Sequence, residues 1–166
     1  NWNMISMNQI LSEDFIREHK EYVNWFYISN YQKLSPEFIK EFKDKLTIDD
    51  DNWLYKSTEF KKKTIIDSGL YECYGDHFIA YKAIRTDRYS KYNFQYQYLP
   101  NQYYTAHCDY TNEEDSFGLS VWTEKGAKLY GENNSLVVKV RVNYEDVGRL
   151  VHGSNKIRCS KIFVLE

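Results

Sequence analysis

Trp25-Phe-Tyr-Ile-Ser-Asn-Tyr-Gln-Lys-Leu-Ser-Pro-Glu-Phe-Ile-Lys-Glu41 decides how the first third of the chain is built. Trp2-Asn-Met-Ile-Ser-Met-Asn-Gln-Ile-Leu-Ser-Glu-Asp-Phe-Ile-Arg-Glu18 spells the same pattern 23 residues earlier. Trp, Ile, Ser, Gln, Leu, Ser, Phe, Ile and Glu recur in step, and Val23 recurs as Leu46. Self-similarity at a fixed period marks a stacked architecture, because one such unit cannot bury its apolar face alone.

Each unit reads as two short helices. Asn24 is placed to cap a helix starting at Trp25, with Trp25, Ile28 and Tyr31 or Gln32 on one face. Ser35 caps the next, with Pro36 at its first position and Glu37 near the positive end of the helix dipole. Phe38, Ile39, Phe42 and Leu46 make its inward stripe. Ser12, Glu13, Asp14, Phe15 and Ile16 repeat the scheme. Ser29 and Gln32 are expected to bond the backbone of a neighbouring unit, while Tyr27, Asn30 and Tyr31 are expected on the outside. Two units fall short of the roughly three that such stacks need. The module therefore leans on the rest of the chain or on further units upstream, which Trp2, already at a repeat position, leads one to expect.

The pattern W-x-x-I-S-x-x-Q-x-L-S-x-x-F-I-x-E resembles the tandem repeat of giant-virus and large-phage proteins, over residues 1–48. The resemblance implies a viral origin and a repeat scaffold, and it carries no catalytic residues with it. A host-cytoplasmic or virion location follows as an expectation.

Bulk properties exclude several classes. A net charge of -2 argues against a protein that grips extended nucleic acid. No apolar run is long enough to span a membrane. Three cysteines, Cys73, Cys108 and Cys159, form no disulfide framework. Together with His77, His107 and His152 they match no zinc spacing, so neither a metal nor a cofactor is expected.

The expected organisation is a helical repeat module over 1–50, a solvated linker over 51–69 and an α+β domain over 70–166. The whole belongs to the α+β class, helical hairpins followed by a mostly antiparallel sheet. The linker holds an acidic run, Asp49 to Asp51, and a basic one, Lys61 to Lys63. Strands are expected at His77–Ile84, at Tyr89–Tyr98 with Tyr92, Phe94, Tyr96 and Tyr98 on one face, and at Tyr103–Cys108 as the partner of that run. A turn is read at Leu99–Gln102. A helix capped by Thr123 is expected over Glu124–Tyr130, a strand over Ser135–Val142, a turn at Tyr144–Val147 and a last strand over Ile157–Leu165.

This second half also resembles, faintly, the ADP-ribosyltransferase fold. The likeness rests on Tyr81-Lys82, Ser116-Phe-Gly-Leu-Ser120, the Glu124 helix and the Leu136 strand. It implies a nucleotide cleft lined by Tyr81, Lys82, Arg85, Ser116 and Ser120. The activity of that family calls for a glutamate near the last strands, and residues 154–163 contain none; Lys82 stands where Arg or His is found. Independently, Arg85, Arg88, Lys91 and the tyrosines from Tyr89 to Tyr98, Tyr92 and Tyr96 among them, read as a basic-aromatic surface able to stack a base. The leading expectation is a viral interaction protein with a host or viral protein partner, the repeats docking and the second domain recognising or capping. A nucleotide-binding or transferase-like enzyme and a virion structural component are the alternatives.

Overall fold

Helices of six or seven residues are too short to persist alone in water, so the bonds between them decide whether the first third folds. The computed structural model describes all 166 residues. It builds the duplication as α1 (Trp2–Asn8), α2 (Glu13–Glu18), α3 (Trp25–Tyr31) and α4 (Pro36–Glu41). Ser12 and Ser35 cap α2 and α4 by accepting from Phe15 N and Phe38 N, and Asn24 caps α3 by accepting from Phe26 N and Tyr27 N. Ile16, Val23, Ile28 and Phe38 form the core between the hairpins.

The repeated Gln and Ser join one unit to the next. Gln32, 2 % exposed, donates through Nε2 to Ser6 O at 2.9 Å and Gln9 O at 2.7 Å, and its Oε1 accepts from Leu11 N at 3.0 Å. One amide thus satisfies carbonyls at the end of α1 that have no partner within the helix. Ser6 Oγ accepts from Asn24 N and Ser29 Oγ from Thr47 N, both at 3.0 Å and both 18 residues on.

A third, degenerate unit follows. Tyr55 stands one period after Gln32, and its hydroxyl donates to Ser29 O at 2.6 Å, the counterpart of the carbonyl that Gln32 binds on Ser6. Ser57 caps α5 (Thr58–Ser68) by accepting from Phe60 N, as Ser12 and Ser35 do in their units. The apolar side of this unit faces the sheet: Trp53, on a 3-10 turn, and Ile65, on α5, belong to the core of the second half. The stretch 51–69 is therefore not a solvated linker, because those two side chains carry it into the core. Ile39 remains half-buried, since the hairpin after it packs on the sheet instead.

The α+β class is confirmed by an antiparallel sheet of β1 (Glu72–Cys73), β2 (His77–Arg85), β3 (Gln102–Thr105), β4 (Leu119–Trp122), β5 (Ser135–Asn143), β6 (Val147–Val151), β7 (Lys156–Cys159) and β8 (Lys161–Val164). Its order is β3-β8-β5-β2-β4-β7-β6, with β1 also on β2. The central pair β2 and β5 runs from His77↔Asn143 to Arg85↔Ser135. Val138, Val140 and Val142 of β5 and Phe78, Ala80 and Ile84 of β2 face the core. Helix α6 (Glu124–Gly131), capped by Thr123, links β4 to β5 and lies on β2. No helix is long and apolar enough to cross a membrane.

Four expectations are corrected. Residues 89–98 are not a strand: Ser90 and Asn93 turn the chain back on itself by accepting from the nitrogens of Tyr92, Asn93 and Gln95, and Tyr98 N bonds Arg88 O. Tyr92 and Phe94 are then exposed while Tyr98 is buried and stacks on Tyr96, so the four aromatics do not form one strand face. The segment at 102–105 pairs with β8 instead of that run. The final strand breaks at Ser160, whose N–H goes to Asp146 O; β7 before it joins β4 and β6, and β8 after it joins β3 and β5. One residue cannot span the four inter-strand steps from β8 to β7, so the sheet must curl until the two meet end to end. The turn expected at Tyr144–Val147 is a 3-10 turn over Tyr144–Asp146 that leads into β6, a strand the sequence reading passed over.

Gln32→Ala leaves two carbonyls and an N–H without partners and is expected to lower stability by about 2–3 kcal/mol, against about 1 kcal/mol for Tyr55→Phe, in urea unfolding. Lys61, on α5, is 5 % exposed, and burial lowers its amine to about 8. Such a lysine binds fewer protons folded than unfolded, so it costs stability below that pH, and the cost fades as the unfolded chain loses its own proton near 10.4. Lys61→Met is expected to gain on the order of 1 kcal/mol near pH 7 and to lose that advantage toward about pH 10, read from urea midpoints.

Candidate functional site

A cleft of about 760 Å³ lies over the middle of the sheet. Its floor is Lys82 of β2, Ser120 and Trp122 of β4 and Lys156 of β7. One wall is the turn at 90–98, bringing Tyr92, Tyr96 and Tyr98; the other is the loop at 106–118, bringing His107, Asp115, Ser116 and Phe117. Tyr130 of α6 closes the rim.

The loop wall exists because of a buried cation. Arg158 of β7 is fully buried, and a guanidinium carries five N–H donors that must find acceptors there. Nε donates to Asp109 O at 2.7 Å, Nη1 to Glu113 O at 2.6 Å and Nη2 to Thr111 O at 2.7 Å. The Asp109 carboxylate, also buried, lies 3.9 Å away and supplies the countercharge. The packing here excludes side chains: a Cβ on Gly118, whose φ is +130°, would stand 2.8 Å from Arg158 Cγ, and one on Gly148 would collide with Cys108 Sγ. The outer side of the same loop rests on the repeat module. His107 Nε2 bonds Met7 O at 3.0 Å, the His107 ring stacks on Phe117, and Phe117 packs on Tyr31 with ring centroids 5.5 Å apart. Tyr31 and Asn30 are therefore buried here and are not outward contacts; Asn52 Nδ2 bonds Asn30 O.

Three lysines line the cleft, Lys82, Lys91 and Lys156, against one carboxylate, Asp115. Lys156, 5 % exposed, donates to Asp115 Oδ1 and Glu114 O, both at 3.0 Å, and His152 Nε2 lies 3.3 Å from the same oxygen. The bond from Lys156, then that from His152, holds the Asp115 carboxyl below the usual carboxylate range. Lys91 Nζ reaches the Tyr130 and Gly131 carbonyls at the end of α6. Trp122 and Tyr130 stack at 4.9 Å, with Lys156 over the first ring and Lys91 over the second. Lys82 Nζ donates to Ser120 O at 2.8 Å and lies 5.0 Å from the Tyr98 ring. Burial first, then repulsion from Lys156, brings its amine down to about 8, with Cys159 acting the other way.

Of the residues singled out from sequence, the cleft brings together Lys82, Lys91, Tyr92, Tyr96, Tyr98, Ser116 and Ser120. It does not include Tyr81, which borders a separate hollow of about 200 Å³ with Ile79, two residues back on the same strand face. Arg85 is exposed, paired with Asp87 at 2.7 Å and lying against Phe94. Arg88, at φ +68°, spends its Nε on Tyr98 O inside the turn. Lys156, Trp122, Tyr130 and Asp115 were missed. Asp115 sits in an acidic run that reads as a solvated loop, and no sequence signal brings it to Lys156. The cysteines are free, with Cys108 and Cys159 buried, and burial pushes the Cys108 thiol up to about 12. No cluster of three or more His, Cys, Asp or Glu side chains is placed to hold a metal ion. No protein family, no curated protein and no solved structure matches the chain.

Arg158→Met removes donors from three carbonyls and is expected to cost on the order of 3 kcal/mol. In amide hydrogen exchange the protection lost first should be that of the loop at 109–118, ahead of β2 and β5; uniform loss over the sheet would show that Arg158 does not hold the loop specifically.

Proposed function

We propose that this chain is a recognition protein of viral origin, in which the stack of helical hairpins docks a host or viral protein and the sheet domain binds a small anionic ligand bearing a flat ring, a nucleotide before others. The observation that carries the reading is the cleft's charge: three lysines face one carboxylate, and that carboxylate is already held by Lys156 and His152. A phosphate fits the reach of Lys82 and Lys156 and of the Ser116 and Ser120 hydroxyls on the same floor and wall. A base fits Tyr92, which is 78 % exposed at the rim and offers a free aromatic face. Exposed Met4, Ile10, Tyr22 and Phe26 give the stack its apolar contact positions.

Binding is favoured over ADP-ribosyl transfer on the chemistry of the lining. Its one carboxylate is tied to Lys156 and His152, and Lys82, whose ammonium is already bonded to Ser120 O, stands where the resembling fold places Arg or His.

Titration calorimetry of the whole chain with ATP, AMP, NAD and adenosine tests this. ATP is expected to bind at least about tenfold more tightly than adenosine, and Lys156→Met to remove about 1.4 kcal/mol of that preference. Added salt should weaken ATP and leave adenosine unchanged. Equal affinities for ATP and adenosine, or no heat from either, would end the nucleotide reading.

A further inference from the structure

Lys82 differs from the other two cleft lysines in what surrounds it. Lys156 has a carboxylate partner, and Lys91 lies across the end of α6 with two carbonyls. Lys82 has no carboxylate at ion-pair distance; its single hydrogen bond goes to Ser120 O, and its stem runs from the central strand of the sheet into the cleft. The groups that act on its charge are Lys156 and Cys159 of β7, with the face of Tyr98 opposite. The Cys159 thiol is held neutral by burial, so the field at Lys82 is set by a neighbouring cation and by exclusion of water. Both effects favour the free amine, and a lysine desolvated beside a second cation is the arrangement that makes lysine a nucleophile toward carbonyl groups. With its amine brought down to about 8, roughly a tenth of Lys82 carries a free lone pair near pH 7, against fewer than about one in a thousand for an ordinary lysine.

We propose that Lys82 is a nucleophilic amine that condenses with an aldehyde or ketone group of an anionic ligand held in the cleft by Lys156. The Lys82 nitrogen adds to the carbonyl carbon, a proton passes to the carbonyl oxygen to give a carbinolamine, and loss of water gives the imine. The carbonyl oxygen leaves with two hydrogens from the nitrogen, and nothing is oxidised or reduced. The inference rests on the cleft admitting a small anion, as proposed above, but not on that anion being a nucleotide.

The test uses pyridoxal 5′-phosphate as an anionic aromatic aldehyde, with borohydride to fix the imine and peptide mass mapping to locate it. The expected result is one dominant adduct, at Lys82, whose formation is half-maximal near pH 8, matching the lowered amine. Lys82→Arg, which keeps the charge, should lose the adduct, and Lys156→Met should reduce labelling by the phosphate ester by about tenfold more than it reduces labelling by unphosphorylated pyridoxal. An adduct spread evenly over exposed lysines such as Lys125 and Lys128, or undiminished in Lys82→Arg, overturns the proposal. Labelling of Lys82 in a protein that fails to bind ATP ends the nucleotide reading and keeps this one; ATP binding with Lys82 unlabelled does the reverse.

Discussion

A guanidinium cut off from water has to find acceptors, and Arg158 finds three carbonyls on a single loop. The consequences spread in two directions. Inward, the loop is held against β7 so tightly that Gly118 and Gly148 leave no room for a side chain. Outward, the same loop offers His107 and Phe117 to Met7 and Tyr31 of the repeat module. The segment between them, Asp115 to Phe117, is the cleft wall. A buried charge is a weak source of stability, because desolvation opposes what its bonds return. Its value here is geometric: a segment with no helix or strand of its own is held on both sides.

The second constraint is how a helical stack ends. Repeat units bury one another, so a terminal unit needs a different partner on its outer side. This chain solves it by keeping the polar joints of the repeat and changing the apolar ones. Tyr55 takes the carbonyl that a glutamine would take, and Ser57 caps its helix on Phe60, but Trp53 and Ile65 turn to the sheet. Arg149 secures the change, bonding Asp51 at 2.9 Å and lying over the Trp53 ring. The two halves of the molecule therefore share an element instead of being tied by a tether.

Much of the helical part was legible because its signals are local. Cap residues, Pro36 and the period of apolar side chains all act within one turn, and Ser12, Asn24, Ser35 and Thr123 cap where the sequence places them. The strands β2 and β5 were legible for the same reason. Choices made by distant partners were not. At 89–98, side chains with a period of two compete with Ser90 and Asn93, which bond backbone nitrogens two or three residues on, and the turn wins. In the cleft, Lys82, Ser116 and Ser120 were found through a resemblance in layout, whereas Lys156 and Arg158 alternate on a strand in the way that solvent-facing charges do. Only the fold, by curling β7 beneath the loop at 109–118, turns that polar face into a buried one.

That inversion also explains why the cleft is cationic although the chain as a whole is acidic. Arg158 takes Asp109 and backbone carbonyls for itself, and Lys156 takes the Asp115 carboxylate, so the acids nearest the cleft are used up in holding the wall. The remaining acids of that loop, Glu113 and Glu114, are exposed, and their carbonyls face inward to the two buried cations. What is left inside is Lys82, without a carboxylate, between Ser120 and the Tyr98 ring. An unopposed positive charge under a roof of aromatic side chains is stabilised by an incoming anion more than by water, because water is partly excluded there and the field is little screened. The side chains that build the wall are thus also the ones that leave the floor positive, and a change that freed Asp115 from Lys156 would alter the shape of the cleft and its charge together.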